Sequence, residues 1–569
     1  MSTSTSVDAS LPALSLLWPT GAAGTAAEGL SAGAAEDLNV AAVVQAMLGR
    51  DGPPVRLQQR ERFAHQMLSQ LCQQPDVIDY RQDVLEDLLT DAALRDELGQ
   101  LLPGLEALAE VAGAPERHLA PGREALERIA RRLGELELYV DSARGLHAAL
   151  QPRTLRSTGL QRLQQALTQL VAADAFTALS AELPKLRAAL ASVKSVTIGL
   201  NLGADLTPES ATILAFGAER IDGRQALLGR LLGKWGSTHA LTPLRRGERS
   251  PAAWQNDLAR DLYRLFQDVA APVASALRGY ASVSVQALGR LGPELAFLLG
   301  GARLALRLEH AGLPHCRPAL LPQDERTTEL EDAYDPLLAL RLSAATDDTL
   351  APVVANPVNF SGRTARVWVL SGPNRGGKTT FTRAVGMAHV LGQAGLHVAA
   401  RSARLSSADT IVSHFPSRES SRPGMGRLDD EAERMSAIFR QATPYSLVLL
   451  NEALTGTSSF EAVDLARGVV RGLRFLGTRA IYVTHLHELG AAVDEINATT
   501  PGDSTVGSLV AESDAEPTIA GQVQTRTFRI RPGPPHGRSF AADIAEQHGI
   551  SFPQLVELIR RRGFDAASH

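Results

Sequence analysis

A lysine and a threonine behind closely spaced glycines are the residues of this chain best suited to chemistry. They end the stretch Ser371-Gly372-Pro373-Asn374-Arg375-Gly376-Gly377-Lys378-Thr379-Thr380, which fits the pattern G-x-x-x-x-G-K-(S/T). Glycines let backbone N–H groups turn inward and form an anion-binding nest at a helix N-terminus. A lysine at this spacing reaches the β- and γ-phosphates of a nucleotide, and the hydroxyl that follows can ligate Mg²⁺. The same letters could form a glycine-rich turn that binds nothing. Context decides between the two readings, because a strand must precede the loop and a helix must follow it. The apolar run Val367-Trp368-Val369-Leu370 predicts the strand, and Phe381 to Leu391 predicts the helix.

Further along, Leu447-Val448-Leu449-Leu450 leads into Asn451-Glu452. Four apolar residues ending at a carboxylate predict a buried parallel strand that delivers an acid to its carboxyl edge, where open α/β sheets bind ligands. In ATPases built on such a loop the first acidic position holds Mg²⁺ and the second polarises water. Here Asn451 occupies the first, and Glu452 is the expected general base. Ala480-Ile481-Tyr482-Val483-Thr484-His485 predicts another strand ending in a histidine, which is placed to sense the γ-phosphate. A lone histidine is more often structural; its position after this strand favours the functional reading. Leu396–Ala400 and Thr410–Phe415 read as further strands, Pro416–Gly426 as a mobile loop, and Asp429–Gln441 as a helix.

These elements need a scaffold. The chain has 569 residues, too many for one ordinary core, and 44% hydrophobic content, which suits a globular protein. From Leu38 to Leu308 apolar residues recur at helical spacing, as in Leu126, Ile129, Leu133, Leu136 and Val140. Plain helical packing explains nearly all of this region. Val193–Leu202 and Ala211–Phe216, separated by turn residues, predict a β-hairpin inside it. The basic residues Arg224, Arg230, Lys234, Arg245, Arg246 and Arg249 follow; a solvated face is the bland reading and a nucleic-acid contact the sharp one. Formal net charge is −5, so any contact with DNA has to be local. Met1–Glu36 reads as disordered apart from Leu14–Trp18, and Gly312–Arg326 as a boundary. Cys72 and Cys316 form neither a metal cluster nor a disulfide framework, no segment is long enough to span a bilayer, and no signal peptide is evident. A cytoplasmic protein without membrane contact is the expectation.

Several ordered blocks resemble the MutS family of mismatch-repair ATPases, within the ABC class of P-loop proteins. Gly372 to Thr379 is similar to that family's G-P-N-M-G-G-K-S loop. Leu447–Glu452 with Gly456-Thr457-Ser458-Ser459-Phe460 resembles L-V-L-x-D-E and G-T-S-T-(F/Y). Thr484-His485-Leu486-His487-Glu488-Leu489 resembles T-H-Y-H-E-L, Ala355-Asn356-Pro357-Val358-Asn359 the adenine-side segment, and Gly537-Arg538-Ser539-Phe540 the S-Y-G segment. Ile78 to Leu88 resembles the start of the family's helical core. Three positions depart from the pattern: Val353 replaces an aromatic beside the adenine, Leu428 a serine that meets the γ-phosphate across a dimer, and Asn451 the metal-side acid. No segment resembles the family's mismatch-reading domain or a trailing nuclease.

The resemblance implies a multidomain fold. Residues 37–320 would form an α-helical core and lever with a hairpin insert at 193–250, and residues 328–569 an α/β P-loop ABC-type ATPase domain with closing dimerisation helices. It implies ATP and Mg²⁺ as cofactors. Asn356, Pro357 and Gly372 to Thr380 would hold the nucleotide, Thr379 and Asn451 the metal, and Glu452 and His485 would be catalytic. DNA and a second copy of the chain are the implied partners, with a role in DNA repair or recombination. A nucleotide-gated interaction protein without a DNA substrate is the competing expectation. A small-molecule kinase is disfavoured, because the histidine switch and the Gly-Thr-Ser-Ser block have no role in that chemistry.

Overall fold

Short apolar runs bounded by turn residues form the parallel centre of this protein. The computed structural model describes residues 14–19, 29–49, 52–113, 123–191, 194–202, 204, 208–217, 271–277, 280, 285–344, 353–416, 427–454, 456, 459–518, 521–535, 549 and 552–561. The basic run Arg224–Arg249, Gly426 of the expected signature helix and the Gly537–Phe540 segment lie outside these residues. Contacts divide the chain into two compact units. One holds Met1–Ser15, Ala93–Leu155 and Leu160–Leu295; the other holds Leu16–Ala92, Arg156–Gly159 and Ala296–His569.

Within the first unit, amphipathic helices Arg123–Leu150, Thr158–Ala172 and Asp174–Ala191 bury leucines at three- and four-residue spacing, Leu133, Leu136, Leu163 and Leu167 among them. Strands β1 (Ser195–Leu202) and β2 (Pro208–Gly217) pair antiparallel, from Ser195 opposite Gly217 to Leu202 opposite Pro208. The hairpin that the sequence predicts is therefore formed.

The second unit carries two sheets. Strands β3 (Ala319–Leu321), β4 (Thr328–Ala333), β5 (Asn356–Phe360) and β7 (Ser402–Ser406) form one, in the order β3-β7-β4-β5. Strands β6 (Val367–Ser371), β8 (Ile411–His414), β9 (Leu447–Asn451), β10 (Arg479–Val483), β11 (Val506–Thr518) and β12 (Gly521–Pro532) form the other, in the order β12-β11-β6-β10-β9-β8. All but β12 run parallel to their neighbours. Every residue of β6, β9 and β10 is buried, which explains why these strands read as continuous apolar runs rather than alternating ones.

Several expectations are corrected. Gly29–Glu36 is not disordered: Leu30 bridges to Ile411 at the edge of β8, Thr410 donates its hydroxyl to the Gly29 carbonyl, and Ser31 caps the helix Ala32–Asp37. Gly29 permits this close approach, since a Cβ there would lie 2.5 Å from the Leu71 side chain. The Ser-Ala-Gly composition conceals a segment ordered by its partners. Leu16–Ala92 belongs with the α/β half rather than with Ala93–Leu155 and Leu160–Leu295, as Arg81 donates to the Ala394 carbonyl and Gln393 to the Cys72 carbonyl. The stretch read as a boundary contains β3. Leu396–Ala400 forms only a bridge, Val398 to Cys316, and the strand comes later, at β7.

A buried polar chain fastens the two sheets together. Arg479, at the start of β10, is fully buried. It donates to the carbonyls of Thr327, Ser406, Ser407 and Tyr445 and to the Thr328 hydroxyl. Thr328 Oγ1 then lies 2.9 Å from His389 Nε2, and His389 Nδ1 faces Gln393 Oε1. Gln393 Oε1 also accepts from the Ala408 amide, so a neutral His389 donates to it from Nδ1, and Nε2 accepts from the Thr328 hydroxyl. Burial, with Arg479 nearby, pushes the His389 pKa from 6.5 down to about 3.

Two predictions follow from this chain. Arg479→Met removes five hydrogen bonds, four to carbonyls and one to the Thr328 hydroxyl, so denaturant unfolding should show a loss of about 3 kcal/mol or more. His389 is harder to protonate folded than unfolded. The stability this contributes is present above pH 6.5 and is lost as pH falls toward about 3, by at most about 1.4 kcal/mol per pH unit. Unfolding measured against pH should show this slope, and His389→Gln should remove it.

Candidate functional site

Parallel register brings the chemistry to one edge. Val483 of β10 stands opposite Leu370 of β6 on one side and Asn451 of β9 on the other. The residues that follow all leave the sheet at its carboxyl edge. Glu452 donates its amide to the Val483 carbonyl at 2.9 Å, and Thr484 donates to the Leu370 carbonyl at 3.0 Å. The glycine loop, Asn451-Glu452 and Thr484-His485 are thereby neighbours, although the sequence separates them widely.

The loop depends on two glycines. Gly372 has φ 136°, and a Cβ there would lie 2.8 Å from the Ala511 Cβ on β11. Gly377 has φ 88° and starts the helix Lys378–Gln393. Lys378 is buried, and its ammonium donates to the carbonyls of Gly372 at 2.7 Å and Pro373 at 3.0 Å. Burial lowers its pKa, and the Glu452 carboxylate works in the opposite direction. Thr379 donates its hydroxyl to Asn451 Oδ1 at 3.4 Å. Glu452 has φ 53°, a left-handed conformation that is costly outside glycine. Its carboxylate lies 3.6 Å from His485 Nε2. The pKa of His485 is lowered, chiefly by burial and further by Lys378 and His487, while Glu452 opposes the shift. At neutral pH the imidazole is therefore uncharged.

A cavity of about 420 Å³ opens beside the loop. Arg375, Gly376, Gly377, Lys378, Thr379, Thr380, Asn356 and Glu452 line it, as the sequence reading expects. Pro357 is exposed on β5 and does not line it, because alternation along the strand turns it outward; Asn374 is exposed at the loop tip. Gly372 and Pro373 contribute through the carbonyls that hold Lys378. Asn451 and His485 do not line it; they meet the lining residues Thr379 and Glu452.

Asn356, besides lining the cavity, has a structural task. Its side chain accepts from the Ile530 amide at 2.7 Å and donates to the Phe528 carbonyl at 3.1 Å. This two-point clamp holds an irregularity where the β11–β12 register breaks between Ala511 and Ser513. Phe528 sits in that irregularity with φ 55° and lines the cavity. Tyr334, Phe381 and Leu338 also line it, and Val353 is present without an aromatic ring. The sequence reading missed Phe528 and Tyr334. Thr527-Phe528-Arg529-Ile530 looks like ordinary strand alternation, and only the backbone reveals the bulge. Tyr334 had a signal in Asp335-Pro336, an N-cap followed by a proline at the first helical position. Asp335 accepts from the amides of Leu337 and Leu338, starting the helix Pro336–Ala344.

Mg²⁺ is a hard cation that prefers carboxylate oxygen. The pair expected to hold it, Thr379 and Asn451, offers a hydroxyl and an amide oxygen, both neutral and already bonded to each other. This donor set does not fit an ion held by protein charge.

A central parallel strand, a glycine loop and a helix start presenting lysine and threonine at the carboxyl edge of a sheet define a P-loop α/β fold. Residues 368–528 match the family model described as MutS domain V, and residues 73–311 match the MutS2 N-terminal domain. The DNA mismatch repair protein MutS of Chloroflexus aurantiacus is 28% identical over 308 residues, 54% of this chain and 28% of the relative. MutS of Azorhizobium caulinodans is 35% identical over 178 residues, 30% of this chain and 19% of the relative. DNA mismatch repair protein MSH2 of Saccharomyces cerevisiae is 27% identical over 278 residues, 48% and 27% of the two chains. The chain is a MutS-family protein at modest identity, and it spans less than a third of the length of these curated relatives. Among the described residues no helix is long and apolar enough to cross a membrane.

The clamp is open to test. Asn356→Ala deletes both bonds to the irregular stretch of β12 and should cost about 1–3 kcal/mol in denaturant unfolding. An unchanged midpoint would mean that other contacts hold Phe528 in place.

Proposed function

We propose that this chain is an ATP-dependent DNA-binding switch of the MutS type that works as a dimer through its α/β half. The observation that carries the reading is the level row Leu370, Val483 and Asn451, which brings the glycine loop and Glu452 to one cavity, with His485 3.6 Å from the Glu452 carboxylate. The loop amides and Lys378 take the phosphates. Glu452 acts as general base toward the attacking water, and neutral His485, 3.6 Å away, orients that carboxylate and reads the γ-phosphate. DNA enters the proposal through the relatives, whose names place them in DNA mismatch repair.

Asn451 favours a second reading, a nucleotide-gated interaction protein with slow turnover and no DNA substrate, because the metal-side position carries no charge. An ATPase assay with and without homoduplex, mismatched and branched DNA separates the two. The first reading expects turnover or affinity to respond to at least one DNA, with binding that weakens as salt rises. Lys378→Ala should lower turnover about a hundredfold. Turnover unaffected by Lys378→Ala would defeat the ATPase assignment, and indifference to every DNA would leave the second reading standing.

A further inference from the structure

The charges around the cradle are distributed unevenly. Arg375 and Lys378 both line the cavity. Lys378 is anchored on two loop carbonyls, whereas Arg375 is exposed at φ 62° and has no hydrogen bond or ion pair among the described residues. The two acids lining the cavity are committed elsewhere: Asp335 caps its helix and Glu452 faces His485. The Thr379–Asn451 pair adds no negative charge. Two positions differ in charge from the family's motifs, Arg375 where the G-P-N-M-G-G-K-S loop has methionine and Asn451 where the strand end has an acid, and both move the site in the same direction. The first adds a fixed cation; the second removes the anion that would retain Mg²⁺. A guanidinium presents a planar fork of donors that matches phosphate oxygens in two-point contacts.

We propose that this site binds the triphosphate of ATP without requiring Mg²⁺, with Arg375 supplying from the loop itself the positive charge that the ion would otherwise bring. The inference rests on the nucleotide reading of the cavity. It makes Arg375 a binding residue: exposed at the loop tip in a left-handed conformation, it lines the cavity, where an aliphatic residue would contribute no charge.

Calorimetric titration of ATP into the full chain, once in excess Mg²⁺ and once in excess EDTA, tests it. The expected result is a Kd that changes by less than about threefold between the two buffers, well under the tenfold that 1.4 kcal/mol would bring. Arg375→Met should weaken binding in EDTA by about tenfold to a hundredfold and recover part of the loss in Mg²⁺. Arg375→Gly, which relaxes the left-handed backbone, should show the same loss with an unchanged melting curve, separating charge from folding. Wild-type binding that appears only with Mg²⁺ overturns the proposal, as does binding in EDTA that survives both substitutions. Absence of ATP binding in both buffers overturns the nucleotide reading itself, and this inference with it.

Discussion

A single buried guanidinium ties together the α/β half of this protein. Arg479 begins β10, the strand between the loop-bearing β6 and the acid-bearing β9, and its donors reach carbonyls at the edge of the four-stranded sheet. A buried charge is tolerable only when its donors are met. Here four backbone carbonyls and the Thr328 hydroxyl meet the two terminal nitrogens, while Nε is buried without a partner, so one side chain ties segments of both sheets together. Through Thr328 the same network fixes the tautomer of His389, on the helix that the glycine loop begins. The start of β10 and the body of that helix cannot shift independently, and the loop lies between them.

The opposite end of the same strands carries the chemistry. Because β6, β10 and β9 run parallel, their carboxyl ends coincide, and residues far apart in sequence come to one edge. The antiparallel addition of β12 contributes something else. Its register break beside Ala511 turns Phe528 toward the loop, and Asn356 secures that turn from the second sheet. The cavity is thus walled by both sheets, its polar side from the loop and part of its apolar side from the irregular strand.

The family match and the departures from it describe different properties. The MutS domain V match covers the strands and loop that make a phosphate cradle, and the MutS2 N-terminal match covers most of the helical region. Within that frame Asn451, Arg375 and Val353 differ from the family's motifs in charge or aromatic character. A parallel sheet edge tolerates such exchange because its geometry is set by main-chain pairing rather than by the side chains it presents.

Much of the site was legible in the chain alone. Lys378, Thr379 and Glu452 follow apolar runs whose length and lack of alternation mark buried parallel strands, and the glycines mark the turn that a phosphate requires. Those signals are local, so a sequence carries them in full. The tasks of Asn356, Pro357 and Phe528 were not legible, since alternation along β5 and a register break between β11 and β12 decide which of them faces the cavity, and neither leaves a compositional trace. Nor was the order of Gly29–Glu36, where Gly29 and Leu30 pair with an edge strand almost four hundred positions away. The sequence by itself determined which residues could cradle phosphate; the tertiary structure decided which neighbours they would have, because strand register and buried hydrogen bonds join segments that the chain keeps apart.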